Sequence, residues 1–237
     1  MELFPRFAVL AIAAAALFYP ASARADVQSW NGIEVRLPLS TGEGPFPESL
    51  RFVTDARYGA EGLDQLSFRL GPLWELSPHL MVGMHVSTFA AQETGGIFEQ
   101  EHRLDLEPTL RLQWGAFTWS DRNRLEYRYH QSGNASKESW RYRNQLRLSY
   151  APAGAQWLPY ASDEVLVDLS GAGLNQNRAN LGVGRVLSDS MRLDIGYGYR
   201  SRLSSGGAWS HDHLGLVSLF IAPKRAAVLL PSLDPGD

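Results

Sequence analysis

Between Trp140 and Tyr150 the chain reads WRYRNQLRLSY, and its chemistry changes at almost every step. Trp140, Tyr142, Leu146, Leu148 and Tyr150 form one set; Arg141, Arg143, Gln145, Arg147 and Ser149 form the other. In an extended strand successive side chains point to opposite faces. The spacing therefore predicts a ribbon with an aromatic and aliphatic side and a guanidinium side. The same period of two recurs along most of the chain. Leu66, Phe68 and Leu70 alternate with Ser67, Arg69 and Gly71. Leu104, Leu106, Leu110 and Leu112 alternate with Arg103, Asp105, Glu107, Thr109 and Arg111. Leu125, Tyr127 and Tyr129 alternate with Arg124, Glu126 and Arg128. Val165, Val167 and Leu169 oppose Glu164 and Asp168, and Ala179, Leu181 and Val183 oppose Arg178, Asn180, Gly182 and Gly184. Met191, Leu193, Ile195, Tyr197 and Tyr199 oppose Arg192, Asp194, Gly196, Gly198 and Arg200.

A soluble sandwich also alternates, so the quality of the two faces decides the class. The polar face holds arginine, carboxylates and glycine, and is poor in the lysine, threonine and serine of a solvated sheet. The whole chain has 20 Arg against 2 Lys, Lys137 and Lys224. Arginine suits crowded, desolvated, bidentate electrostatics, whereas lysine suits free hydration. The alternating segments are long, while soluble strands usually run to about five or six residues. Tyrosine and tryptophan gather near segment ends, as in an interfacial girdle. All three features predict an all-β fold, an antiparallel transmembrane up-and-down β-barrel with lipid outside and a polar lumen inside.

The first residues read as a cleavable export signal. Arg6 supplies positive charge, Phe7 to Phe18 form the apolar run, and Ala23-Arg24-Ala25 offers a cleavage site. The expected organisation is a signal peptide over 1–25, an outer-membrane barrel over 26–222 and a tail over 223–237. Alternating segments begin near Val27, Glu48, Asp64, His79, Glu99, Asn123, Ser139, Trp157, Leu174, Ser190 and Trp209. That makes eleven, yet single-chain bacterial barrels use an even number. Twelve strands is the expectation, with ten as the alternative. Short turns are expected at Ser77-Pro78, Ser120-Asp121, Ala151 to Gln156 and Ser188 to Ser190. Longer connections are expected at Gln92 to Phe98, Ser132 to Ser139, Ser170 to Gly173 and Ser204 to Ser210. Ser120-Asp121 is preferred to Gly115 because a strand running through it would turn Asp121 and Asn123 toward lipid, at a cost of a few kcal/mol. The final segment, His211 to Ile221, resembles the assembly signal of outer-membrane barrels, with Phe220 near its end. The barrel assembly machinery and outer-membrane lipid, lipopolysaccharide included, are thus expected partners.

Several motifs together resemble the outer-membrane family catalogued as domain of unknown function 2490. They are Glu101-His102-Arg103, Arg122-Asn123-Arg124-Leu125-Glu126-Tyr127-Arg128, Trp140-Arg141-Tyr142-Arg143-Asn144, Asp163-Glu164, Asn175-Gln176-Asn177-Arg178 with Gly182, and Gly196-Tyr197. The resemblance implies a secreted outer-membrane barrel. It implies no reaction and no substrate, so function rests on the residues.

Strand parity places Arg103, Arg124, Glu126, Arg128, Arg141, Arg143, Arg147, Glu164, Arg178, Asp194 and Arg200 in the lumen. A barrel of about eight strands is just filled by side chains, while sixteen or more strands leave a channel. A barrel of intermediate size leaves both a filled lumen and an open pore in play. The first functional expectation is a narrow channel whose arginines favour small anionic solutes. The second is a lipid-directed hydrolase, because His85 and Ser87 in GMHVSTF share a face and place a base beside a hydroxyl. His-x-Ser near the outer rim is similar to the arrangement in outer-membrane lipid A deacylases, with Glu99 or Glu101 to orient the imidazole. The third is a non-conducting structural or interaction barrel. Neither cofactor nor metal is expected: the chain has no cysteine, and His211 and His213 lack a third ligand at defined spacing. Net charge is −3, which gives no basis for nucleic-acid binding. Gly182, Gly184, Gly196 and Gly198 are expected to make room for bulky lumen groups.

Overall fold

The computed structural model describes residues 26–39, 46–60, 62–92, 98–132, 135–204 and 206–222. The expected signal peptide and C-terminal tail lie outside the described residues. Eleven strands run in chain order: β1 (Asp26–Pro38), β2 (Ser49–Gly59), β3 (Gly62–Ser77), β4 (Leu80–Gln92), β5 (Phe98–Trp114), β6 (Phe117–Ser132), β7 (Ala135–Tyr150), β8 (Trp157–Asp168), β9 (Gly173–Ser188), β10 (Met191–Leu203) and β11 (Trp209–Ile221). Each pairs with its chain neighbour, and β1 meets β11 to close the barrel.

The strand number is neither twelve nor ten. The eleven alternating segments are eleven strands, and the assumption that needs correcting is the even count. In an up-and-down winding an odd number leaves the first and last strands pointing the same way. Closure then requires one parallel ladder, and β1 supplies it along β11 from Asp26↔Asp212 to Val35↔Ile221. Every other ladder is antiparallel.

Two connections also differ from expectation. The β5–β6 hairpin turns at Gly115-Ala116, where Gly115 has φ 59°, a backbone region that costs glycine nothing. Ser120 and Asp121 sit inside β6, paired with Arg147 and Leu146 of β7. Asp121 and Asn123 do face outward, in spite of the cost. Ser132 to Ser139 is not a long loop either: Ser132 pairs with Ala135, so the β6–β7 ladder continues as far as those two residues. The 78–79, 115–116 and 189–190 connections share one end of the barrel, the turn end, opposite the loop end.

The wall inverts the usual globular pattern. Leu104, Leu146, Leu148, Leu181 and Val86 stand exposed on the outer face, together with Trp114, Trp119, Trp140 and Trp157. Inside, among the described residues, buried apolar side chains gather in two small clusters, Trp30 with Leu214 and Leu216, and Val53 with Phe220 and Ala222, while Leu73, Phe89, Leu158, Tyr160 and Leu166 are buried singly. Most of the buried polar side chains are arginines and carboxylates.

Candidate lumen site

Among the described residues, thirteen buried arginines face nine buried carboxylates. Alternation delivers them inward from nearly every strand, and the barrel's closure brings distant strands within reach of one another. One chain of contacts runs around the wall. Glu34 on β1 accepts from Arg51 at 2.9 Å, and Arg51 reaches Glu107 on β5 at 2.7 Å, past β3 and β4. Glu107 accepts from Arg124 at 2.7 Å, and Arg124 also lies 3.4 Å from Glu126. Glu126 accepts from Arg141 at 2.6 Å and from Arg143 at 3.2 Å. Arg143 continues to Glu164 at 2.7 Å, which Arg122 at 3.2 Å and Arg178 at 3.3 Å also approach. Arg178 closes the belt over the Trp30 ring of β1, 5.0 Å from its centroid.

Glu126, Arg124, Arg143, Glu164 and Arg178 are each at most 1% exposed. At this height these side chains pack against one another, away from solvent. Moving a guanidinium or a carboxylate out of water costs several kcal/mol after relaxation, so such a layer holds only with dense mutual pairing. Bidentate forks supply it: Arg143 donates through both Nε and Nη2 to Glu164.

The other expected lumen residues occupy the two mouths. Toward the loop end, Arg128 donates to Glu101 at 2.5 and 2.9 Å, His130 lies 3.0 Å from the same carboxylate, and Arg103 pairs with it while stacking 3.6 Å over Phe89. Arg200 donates to Asp212 at 2.7 Å and to Gln28 at 3.2 Å. Toward the turn end, Asp194 accepts from Arg192 at 2.7 Å and lies 3.6 Å from Arg147. Arg147 stacks 3.6 Å over Tyr160, and the Tyr160 ring occupies the space where Gly182 and Gly196 lack side chains. Gly184 likewise leaves room for Arg192 and Asp194. The inward glycines therefore do what their spacing suggests. A shallow pocket at this mouth is lined by Glu75, Met81, Thr109 and Arg111 among others.

His85 and Ser87 share the inner face of β4, as their spacing requires, but no hydrogen bond joins them among the described residues. The Ser87 hydroxyl donates to Asp105 at 3.1 Å and accepts from Arg69 at 3.2 Å. The His85 ring is sealed in the lumen wall beside Gly83, and neither ring nitrogen hydrogen-bonds another described residue. Glu101, the expected orienting acid, is engaged by Arg103, Arg128 and His130.

Sequence reasoning missed four members of the network, Glu34, Arg36, Arg122 and Asp212, and gave Glu101 another role. Glu34 and Arg36 alternate correctly within β1, the segment that a ten-strand count leaves out. Arg122 disappears when the turn is placed at Ser120-Asp121. Asp212 lies between His211 and His213, whose outward rings pack on Tyr199.

The family described as Protein of unknown function (DUF2490) matches residues 27–211. Among solved structures, a NanC porin in a rhombohedral crystal form aligns with a TM-score of 0.51 at 7% identity, covering 83% of this chain and 98% of that one. At that identity the likeness is one of fold, a porin-like barrel. No curated protein matches the sequence.

Proposed function

The chain belongs to the DUF2490 family of proteins of unknown function, and from that premise we propose an outer-membrane barrel whose lumen is a narrow, anion-favouring path held shut by ion pairs. The observation that carries this reading is the excess of arginine: among the described residues, thirteen buried guanidinium groups against nine buried carboxylates. A positive interior between low-dielectric walls concentrates anions and repels cations. The chain Glu34–Arg51–Glu107–Arg124–Glu126–Arg143–Glu164–Arg178 blocks the middle of that path. Several of its members have two partners in reach; Arg124 lies between Glu107 and Glu126, and Arg143 between Glu126 and Glu164. Exchanging partners along the chain opens a way without stranding any charge. Arg103, Arg128, Arg141 and Arg200 toward the loop end, and Arg147 toward the turn end, then serve as receiving groups for a small carboxylate or acidic sugar.

The apolar outer surface supports an outer-membrane location, with lipid and lipopolysaccharide against the wall and the turn end toward the periplasm. Strand β11, with Phe220 near its end, is the segment the barrel assembly machinery would read. A lipid hydrolase built on His85 and Ser87 finds no support in their geometry. The non-conducting scaffold remains the second reading, because the mid-lumen residues are sealed from solvent.

Planar-bilayer recording separates the two. Full-length, folded barrel is expected to give small conductance steps, with reversal potentials in a KCl gradient that favour chloride. Glu164→Gln, which removes one charge of the latch, is expected to lengthen the open times. Cation preference defeats the anion path, and silence from folded wild-type and Glu164→Gln barrels alike leaves the scaffold.

A further inference from the structure

The outer wall of β6 to β9 interrupts its own apolar surface. Asp121 and Asn123 of β6 and Tyr142 and Asn144 of β7 point outward and bond to one another. Asn144 Nδ2 donates to Asp121 Oδ1 at 2.6 Å and to Asn123 Oδ1 at 3.1 Å, and Asn123 Nδ2 donates to Asp121 Oδ1 at 3.1 Å. The Tyr142 hydroxyl donates to Asn123 Oδ1. On the next strand, Asp163 of β8 accepts from Asn177 of β9 at 3.0 Å.

Their height makes the patch unusual. Asn123 lies six residues from Phe117, Asn144 six from Tyr150 and Asp163 six from Trp157, and those aromatics end their strands at the turn end. At about 3.3 Å per residue and a strand tilt of roughly 40°, six residues climb about 15 Å. That is near the middle of an apolar band about 25 Å tall. Hydrocarbon there offers neither donors nor acceptors, and polar groups at such depth mark places where something other than lipid sits.

We infer that this patch is the face through which two copies of the chain pair side by side in the membrane, across a twofold axis passing Asn144. The inference rests on the reading that the barrel spans a bilayer. The partner is identified by how the patch matches itself. Rotation about an axis parallel to the barrel keeps every height and reverses the order of strands across the interface. β7 then meets β7, and β6 of each copy meets β8 of the other. The Asn123 amide of one copy faces the Asp163 carboxylate of its partner, twice over, and Asn144 faces Asn144. Among the described residues no hydrogen bond reaches Asn144 Oδ1, which leaves it for the partner's amide. Each contact is made in both directions, which is the mark of an isologous interface. The small side chains of Ala161 and Ala179 stand exposed beside Asp163 and allow close approach.

The chain has no cysteine, so Asn144→Cys puts a single thiol on the proposed axis. Full-length N144C, in its membrane, is treated with a short bismaleimide. Most of the protein is expected at twice the mass, while Val86→Cys, outward on β4, gives no such species. Adding Asn123→Leu and Asp163→Leu to N144C is expected to cut the cross-linked fraction by about fivefold, the loss of two membrane-embedded polar contacts. Heat-modifiable gel mobility confirms that each variant is folded. Folded N144C that cross-links no better than V86C overturns the interface, as does an adduct of any mass other than twice that of the chain. An alkaline carbonate wash distinguishes the premise: release of folded barrel from the membrane defeats the bilayer-spanning reading itself, whereas retention without cross-linking defeats the interface alone.

Discussion

Strands β6 and β7 carry a polar cluster on each of their faces, and the two clusters are built from different chemistry. On the inside, Arg124, Glu126, Arg141 and Arg143 meet as full charges in the centre of the lumen network. On the outside, the Asp121 carboxylate is held by the amides of Asn123 and Asn144, with Tyr142 alongside. The inner cluster is enclosed, so a charge there needs an opposite charge. On the proposed membrane location the outer one of an isolated barrel faces hydrocarbon, in which arginine or lysine would cost about 2 to 4 kcal/mol and a carboxylate less. On these two strands formal positive charge is therefore confined to the side where it finds partners, and the outer patch uses neutral donors. The comparison teaches that burial alone does not set the chemistry of a polar group; what lies beyond it does.

Substitution of Glu126 tests the inner half of that contrast most severely. Glu126→Ala removes the shared partner of Arg124, Arg141 and Arg143 and is expected to cost about 3 to 5 kcal/mol, read as a lower urea midpoint for unfolding from lipid vesicles. A loss under about 1 kcal/mol would mean that water reaches the layer and would break the comparison. Arg143→Leu and Glu164→Leu should each destabilise, while the double variant recovers part of the sum through a coupling of about 1 to 3 kcal/mol. Gly182→Ala tests packing within the lumen, because the added methyl meets the Tyr160 ring and the Ile195 carbonyl; about 1 to 3 kcal/mol is expected. The smallest effect, of opposite sign, belongs to the outer face. Asp121→Leu should stabilise the isolated barrel by about 1 kcal/mol, since it replaces a lipid-facing carboxylate. Equal losses from Glu126→Ala and Asp121→Leu would erase the distinction between the faces.

Much of this architecture is legible along the chain. Parity alone assigns Arg141, Arg143 and Arg147 to the lumen and Leu146 and Leu148 to the exterior, and the structure agrees at every one of these positions. It assigns Asn144 to the exterior as well, although an amide among tyrosines and leucines does not announce itself as half of a patch. The turn at Gly115 was harder to see because the price of turning Asp121 outward argued for Ser120-Asp121. That price is partly offset by Asn123 and Asn144, and Asn144 lies on a different strand. The strand number is illegible for a related reason: the parallel ladder between β1 and β11 joins two distant parts of the sequence, and no local pattern carries it.

The sequence by itself determined which way each strand residue faces, because an extended backbone presents its side chains to opposite sides and one wrong step would turn every arginine toward the outer surface. It thereby determined the class of fold and the sign of the interior. Which arginine meets which carboxylate was decided only when the wall closed. Glu34 reaching Arg51, Arg51 reaching Glu107 across two intervening strands, and Arg178 lying over Trp30 all depend on the curvature and register of eleven strands at once, and a period of two contains neither.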